Sequence, residues 1–261
     1  LTLTGVQRPV AKAEFVFFAH RTGDLEDPAR RFSLSPDDLK LINPATKTAP
    51  VFRCSSDARI VRAVHEQMPT LTGSNAHGAT SGWELVSFAF PNAADEDGEF
   101  VFNARMVAPN RWEDELGNEV LRFYEAKMFS YFDHRAADVV ISPTAVVRQG
   151  QPSAITAAEH GDPHRLATPR AWYPSSQLGL EMSGWKRDWL LAWRDITSAT
   201  NERTLIACVL PRVAGGRNNM PTLLCKNSAV EIACLAANLS SFVLDYVART
   251  KIAGLHASMV V

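Results

Sequence analysis

Glu125-x-Lys127, in the run Tyr124-Glu-Ala-Lys-Met, has the acid-x-lysine spacing of magnesium-dependent nucleases. There the carboxylate holds the metal and the lysine orients the attacking water, and Asp114 would be the upstream carboxylate. Any charged strand also produces Glu-x-Lys, in which case the pair is an ion pair and nothing more. Asp133-His134-Arg135 follows closely; with no serine or cysteine nucleophile in its context, it suits an ion pair or a DNA contact better than a hydrolase triad. A second group lies further along: Asn201 and Arg203 in a polar segment, then Arg217 and Asn218 beyond a diglycine. Arginine offers a planar fork of donors and asparagine both a donor and an acceptor, which matches phosphates and base edges. A solvated turn is the competing reading for this group, as it is for the acidic run Asp95-Glu-Asp-Gly-Glu.

The elements that must position these residues follow from pattern. The apolar runs 189–196 and 204–210 suit a pleated surface and residues 197–203 reverse the chain, which predicts a β-hairpin with a polar tip. In it Trp189, Leu191 and Trp193 share one face and Arg194 takes the other, while Pro211, lacking an amide hydrogen, ends the second strand. Strands are also predicted over 14–19, 83–90, 99–107 and 120–132. Ser35, Pro36 and Asp38 predict a short helix that stops before Asn43-Pro44. Asp57, Ala58, Val61 and Val64 predict a second over 55–67, closed by Pro69. Residues 111–119 read as a charged helical patch, 72–81 as a linker and 141–170 as a long surface excursion. The clearest helix begins with the capping-box spacing of Ser228 and Glu231. It continues through Ile232, Leu235, Leu239, Phe242, Val243 and Tyr246 at steps of three and four, and Gly254 can stop it. Arg249 and Lys251 at its end complement the helix dipole or touch phosphate. Together these give an α+β fold of mixed, mostly antiparallel sheets with packed helices, including a long C-terminal helix.

Composition bounds the function. With 261 residues, 46% of them hydrophobic, the chain can bury a sizeable core as one large domain or two smaller ones. No apolar run approaches the roughly 18 residues of a membrane span and no basic-then-apolar leader opens the chain, which points to the cytoplasm. Cys54, Cys208, Cys225 and Cys234 are scattered without a Cys-x-x-Cys pair, so they read as buried thiols rather than zinc ligands or a disulfide framework. The net charge of −1 is unevenly spread: from Trp185 onward nine basic residues face five acidic ones. A local basic face of that kind is compatible with a phosphate backbone.

Five motifs, taken in order, resemble the C-terminal half of large adenine-N6 DNA methylases, namely type IIG restriction-modification enzymes and related phage-defence methylases. They are Leu41-Ile-Asn-Pro-Ala-Thr-Lys-Thr-Ala-Pro-Val-Phe-Arg; Tyr124-Glu-Ala-Lys-Met with Phe132-Asp-His-Arg; Pro169-Arg-Ala-Trp; Trp193-Arg-Asp-Ile with Thr200-Asn-Glu-Arg-Thr; and Asp245-Tyr-Val-Ala-Arg-Thr-Lys-Ile-Ala-Gly. The resemblance covers most of the chain and is loosest over 72–97 and 142–168. It implies a connector over residues 1–72, following a methylase domain outside this sequence, and a target recognition domain over 73–261 that docks on double-stranded DNA while the methylase domain flips and methylates an adenine. It nominates Lys127, His134, Arg135, Arg194, Asn201, Arg203, Arg217, Asn218 and Lys251 as DNA-contacting or contact-orienting residues, with the loops over 72–81 and 142–168 as carriers of specificity. S-adenosylmethionine is the cofactor expected of the full-length protein. This chain has no Asn-Pro-Pro-Tyr tetrapeptide, since Asn43-Pro-Ala-Thr lacks the stacking aromatic, and no glycine-rich strand-to-helix turn. The piece by itself is therefore expected not to methylate DNA. A start at Leu1 and an apolar end over 255–261 likewise suggest a piece of something longer. A metal-dependent nuclease using Asp114, Glu125 and Lys127, and a protein-docking module of a phage-defence complex, are the alternatives.

Overall fold

Capping chemistry sets the first helices. Ahead of them Ala13–Phe15 (β1) and Phe32–Leu34 (β2) pair antiparallel, shorter than the predicted 14–19 strand, with Phe15 opposite Phe32. Ser35 Oγ accepts the amide of Asp38, the Asp38 carboxylate accepts the amide of Ser35, and Pro36 takes the first position, so α1 runs Pro36–Ile42. It ends at Asn43, because a residue before proline is pushed out of the helical region. Asp57 accepts the amides of Arg53 and Cys54 to open α2, Ser55–Gln67, which stops ahead of Pro69 as predicted. The computed structural model describes residues 11–71, 73, 75–80, 82–83, 85–86, 100–109, 111–144, 150–176, 185–215, 220–252 and 257.

Strands dominate the middle of the chain. They are Leu85–Val86 (β3), Arg105–Ala108 (β4), Arg111–Glu113 (β5), Glu119–Tyr124 (β6), Ala137–Ile141 (β7) and Gly150–Ala154 (β8). The short helix Ala157–His160 (α3) separates these from Trp172–Pro174 (β9), Trp189–Trp193 (β10), Ala207–Pro211 (β11), Ala214–Gly215 (β12) and Thr222–Cys225 (β13). Ala229–Leu239 (α4) and Phe242–Lys251 (α5) follow. One sheet has the order β11-β10-β13-β3; another has β12-β6-β5-β4, with β9 also on β6. The predicted hairpin is β10 and β11, antiparallel from Trp189 opposite Pro211 to Trp193 opposite Ala207. Leu190 and Ala192 pack against Tyr124, Met128 and Phe129, whereas Leu191 and Trp193 pack against Leu223, Ile232 and Ala248. Leu190, Leu191 and Ala192 are fully buried, so β10 is sandwiched on both faces; that is why its sequence is a continuous apolar run instead of an alternation.

The α+β class is as predicted, with local corrections. Residues 111–119 are not helical: β5 and β6 form a hairpin whose turn is held by Asp114, which accepts the amides of Leu116 and Asn118, and by Gly117 at φ +84°. Turn chemistry outweighs charge spacing there. The surface excursion over 141–170 holds the end of the β7–β8 hairpin and then α3, capped by Thr156. The C-terminal helix is two helices bent by 67° at Ser240 and Ser241, because Ser240 Oγ donates back to the Ala236 carbonyl and Ser241 Oγ caps a new start by accepting the amide of Leu244. Phe242 and Val243, on the predicted apolar stripe, are consequently exposed. Cys208 and Cys225 are buried as expected, but Cys54 is only half-buried and Cys234 is exposed; all four are free. Among the described residues no single helix is long and apolar enough to cross a membrane.

The two ends of the chain share one core. Phe32, Leu34, Ile42, Phe52 and Val61 pack with Val247 of α5, and the Val51 amide donates to the Thr250 carbonyl at 2.7 Å.

Candidate nucleic-acid interface

The end of β6 gathers the first motif. Residues 126–128 form a 3-10 turn, and Lys127 Nζ lies 2.9 Å from Glu125 Oε2 while donating to the Gly150 carbonyl at 2.6 Å. Arg170 Nε stands 3.8 Å from the other Glu125 oxygen. Glu125 is therefore a half-buried acid between two cations, an ion-pair arrangement. Asp114 is at the opposite end of β6, in the β5–β6 turn, with its backbone paired to Asn118. The six residues of the strand Glu119–Tyr124 separate Asn118 from Glu125, roughly 20 Å, whereas ligands of one metal ion lie about 2 Å from it. The structure does not bring the predicted nuclease trio together, and among the described residues no group of three histidine, cysteine or acidic side chains could hold a metal.

Most of the nominated basic residues are committed to the scaffold. The Arg135 guanidinium donates to the carbonyls of Asp162 and Arg165 at 2.7 Å and of His160 at 3.0 Å, tying down the chain after α3. His134 gives its carbonyl to the Tyr124 hydroxyl at 2.9 Å, and burial, followed by the neighbouring Arg135 charge, holds its imidazole below the usual histidine range. Arg194 donates to the Phe129 carbonyl, Nε at 3.0 Å, and lies over the Phe129 ring; burial lowers its pKa. Arg203 donates to the Ser240 carbonyl at 2.6 Å, has Nε 3.6 Å from Asp245, and is stacked between the rings of Tyr131 and Phe242. Lys251 is half-buried beside an apolar cavity between helices and is not turned to the open surface. Arg217 and Asn218 lie outside the described residues.

What remains exposed forms a smaller set. Asn201 is exposed at the hairpin tip, its amide donating to the Ser198 carbonyl at 3.1 Å. Arg170 is exposed at the end of β6. β12 runs parallel to β6, with Ala214 beside Phe123 and Gly215 beside Tyr124, the residue that precedes Glu125. Phe132, which sequence pattern did not single out because it reads as the last residue of a strand, is 83% exposed and has φ +54°. It sits in a two-residue turn closed by reciprocal hydrogen bonds between Ser130 and Asp133. The neighbouring Tyr131 anchors that turn, its hydroxyl donating to the Leu205 carbonyl and its ring 4.6 Å from the Arg203 guanidinium. A bulky side chain in left-handed backbone is uncommon and costs about 1–3 kcal/mol. Here that strained residue presents an aromatic ring to solvent from a braced support.

Comparison of the chain with protein-family models, with curated proteins and with solved structures finds no match.

Proposed function

We propose that this chain is a double-stranded DNA recognition module of an adenine-specific methyltransferase or restriction-modification enzyme, non-catalytic by itself. The S-adenosylmethionine site would belong to a methylase domain of the same polypeptide. The reading rests on the ordered motifs, and the observation that carries it is Phe132: an exposed aromatic ring in strained backbone, braced by Tyr131 and Arg203. Aromatic and aliphatic wedges of this kind enter base steps and unstack them, which helps an enzyme extrude a base. Arg135, Arg194 and Arg203 act as scaffold, and the groups proposed to contact DNA are the exposed Phe132, Asn201 and Arg170, together with Arg217 and Asn218. Such a protein would work in the cytoplasm.

Fluorescence-anisotropy titration of a mixed-sequence duplex over a salt series tests this. Log affinity is expected to fall with log salt, and an Arg170→Ala/Arg217→Ala pair is expected to reduce the slope by about 0.9 for each phosphate that is no longer neutralised. Absence of binding at low ionic strength would sink the reading.

A second reading is docking onto protein. Phe242 is 80% exposed and Val243 and Val230 are exposed on the same pair of helices, an apolar surface that the methylase domain or a defence-complex subunit would cover. Under that reading co-purification of the partner falls when Phe242 and Val243 become serine, while removing Arg170 and Arg217 leaves it unchanged.

A further inference from the structure

A cavity of about 690 Å³ lies among α2, α4 and α5. Val64, Met68, Leu235, Leu244, Val247 and Ala248 make its walls apolar, and its size falls within the range of small-molecule sites. Lys251 and His65 also line it. Among its lining residues Lys251 is the one formal charge, since His65 is buried with Nδ1 against the Val61 carbonyl at 2.9 Å and burial, with the Lys251 charge second, pushes its pKa down to about 4.

Among the described residues Lys251 has no acid to pair with. Every acidic residue of the three helices is engaged elsewhere: Asp57 with the Tyr246 hydroxyl, Glu66 with Arg62, Glu231 with the Ser228 amide, and Asp245 with Arg249 and the Thr204 and Leu205 amides. A half-buried ammonium without a counter-ion is unfavourable, and burial brings its pKa down to about 8. Thr70, Asn238 and Ser241 are the uncharged polar residues at its edge. Apolar walls and one uncompensated cation together specify a ligand with an apolar body and an anionic head.

We propose that this cavity binds a medium-chain carboxylate, its aliphatic body against the helix faces and its carboxylate on Lys251 Nζ. The site is independent of the DNA reading. Its occupant would bridge α2 to α4 and α5, the helices that join the two ends of the chain.

The test is calorimetric titration of the wild-type chain and of Lys251→Met with decanoate and with decanol. Wild type is expected to bind decanoate about ten- to a hundredfold more tightly than decanol, the increment of a charge-assisted contact in a dry site. Lys251→Met should bring decanoate down to the level of decanol and leave decanol binding intact, which also shows that the variant is folded. Exposed Cys234 lines the cavity and gives a second readout: saturating decanoate should slow its alkylation by iodoacetamide in wild type and not in the variant. Equal affinity for acid and alcohol, no binding of either at millimolar concentration, or undiminished decanoate binding by Lys251→Met would each overturn the proposal.

Discussion

The Tyr246 hydroxyl donates to Asp57 Oδ1 at 2.5 Å, bonding α5 to the first turn of α2 across 189 residues of sequence. Asp57 is already the acceptor for two amides at the start of α2. Burial alone would raise its pKa, but the bonds from Tyr246 and from the Arg53 and Cys54 amides outweigh that and hold the carboxylate below its ordinary range. Removing the hydroxyl in Tyr246→Phe takes away a hydrogen bond to a charged group and should cost about 2 kcal/mol. Urea unfolding checks it. A double-mutant cycle with Asp57→Asn should show coupling of similar sign, and additive losses would mean that the contact contributes nothing of its own.

Arg203→Ala should act on stability rather than on DNA affinity. The guanidinium holds the Ser240 carbonyl, stands near Asp245 and separates two aromatic rings, so its removal strands a carbonyl, takes one of two cations from Asp245 and leaves a gap between Tyr131 and Phe242. Destabilisation by about 2–4 kcal/mol is expected. At temperatures where the variant is still folded, the salt slope of DNA binding should match wild type; a flatter slope would make Arg203 a phosphate-binding group after all.

His65 sets an acid limit on stability. Its imidazole titrates near pH 4 when folded, against an ordinary value of 6.5, with burial the main cause and Lys251 the second. Above pH 6.5 the ring is neutral in both states and the full stability is present. Between pH 6.5 and about 4 the unfolded chain takes up a proton that the folded chain refuses, so this one group removes up to about 3 kcal/mol, and nothing more below that. His65→Gln should flatten the pH dependence of unfolding in that window relative to wild type. Superimposable profiles would show that the ring is not held neutral.

The sequence made legible what depends on neighbours in the chain. Ser35, Pro36 and Asp38 announce α1 because capping is a matter of three residues, and the run around Leu190 announces β10 because its burial leaves no polar position. What it concealed depends on distant partners or on backbone angles. Residue types alone make Arg135, Arg194 and Arg203 look like ligand-binding groups, yet their acceptors are backbone carbonyls 25 to 65 residues away. The break at Ser240 and Ser241 is hidden for another reason: apolar spacing continues across it, while two hydroxyls supply the alternative bonds. Phe132 opens one of the ordered motifs, but its left-handed backbone left no mark there, since a positive φ has no signature in a residue that is not glycine or asparagine.

That angle separates the demands of folding from those of the proposed function. At φ +54° a phenylalanine side chain is strained whereas glycine is not, and the ring, 83% exposed, returns little burial for the strain. Phe132→Gly is therefore expected to raise stability by about 1 kcal/mol, less whatever entropy the unfolded chain gains from the added freedom. If the ring is a wedge between base steps, the same change should weaken duplex binding while leaving the salt slope unchanged, because every phosphate keeps its cation. Phe132→Trp should keep the strain and most of the binding. The three proteins can be compared by thermal melting and by anisotropy on one duplex. Higher stability together with weaker affinity is the pattern of a residue retained for binding. A stabilised glycine variant that binds DNA as tightly as wild type would leave Phe132 without a role in recognition and would move the proposed interface to Arg170 and the segment beyond Gly215.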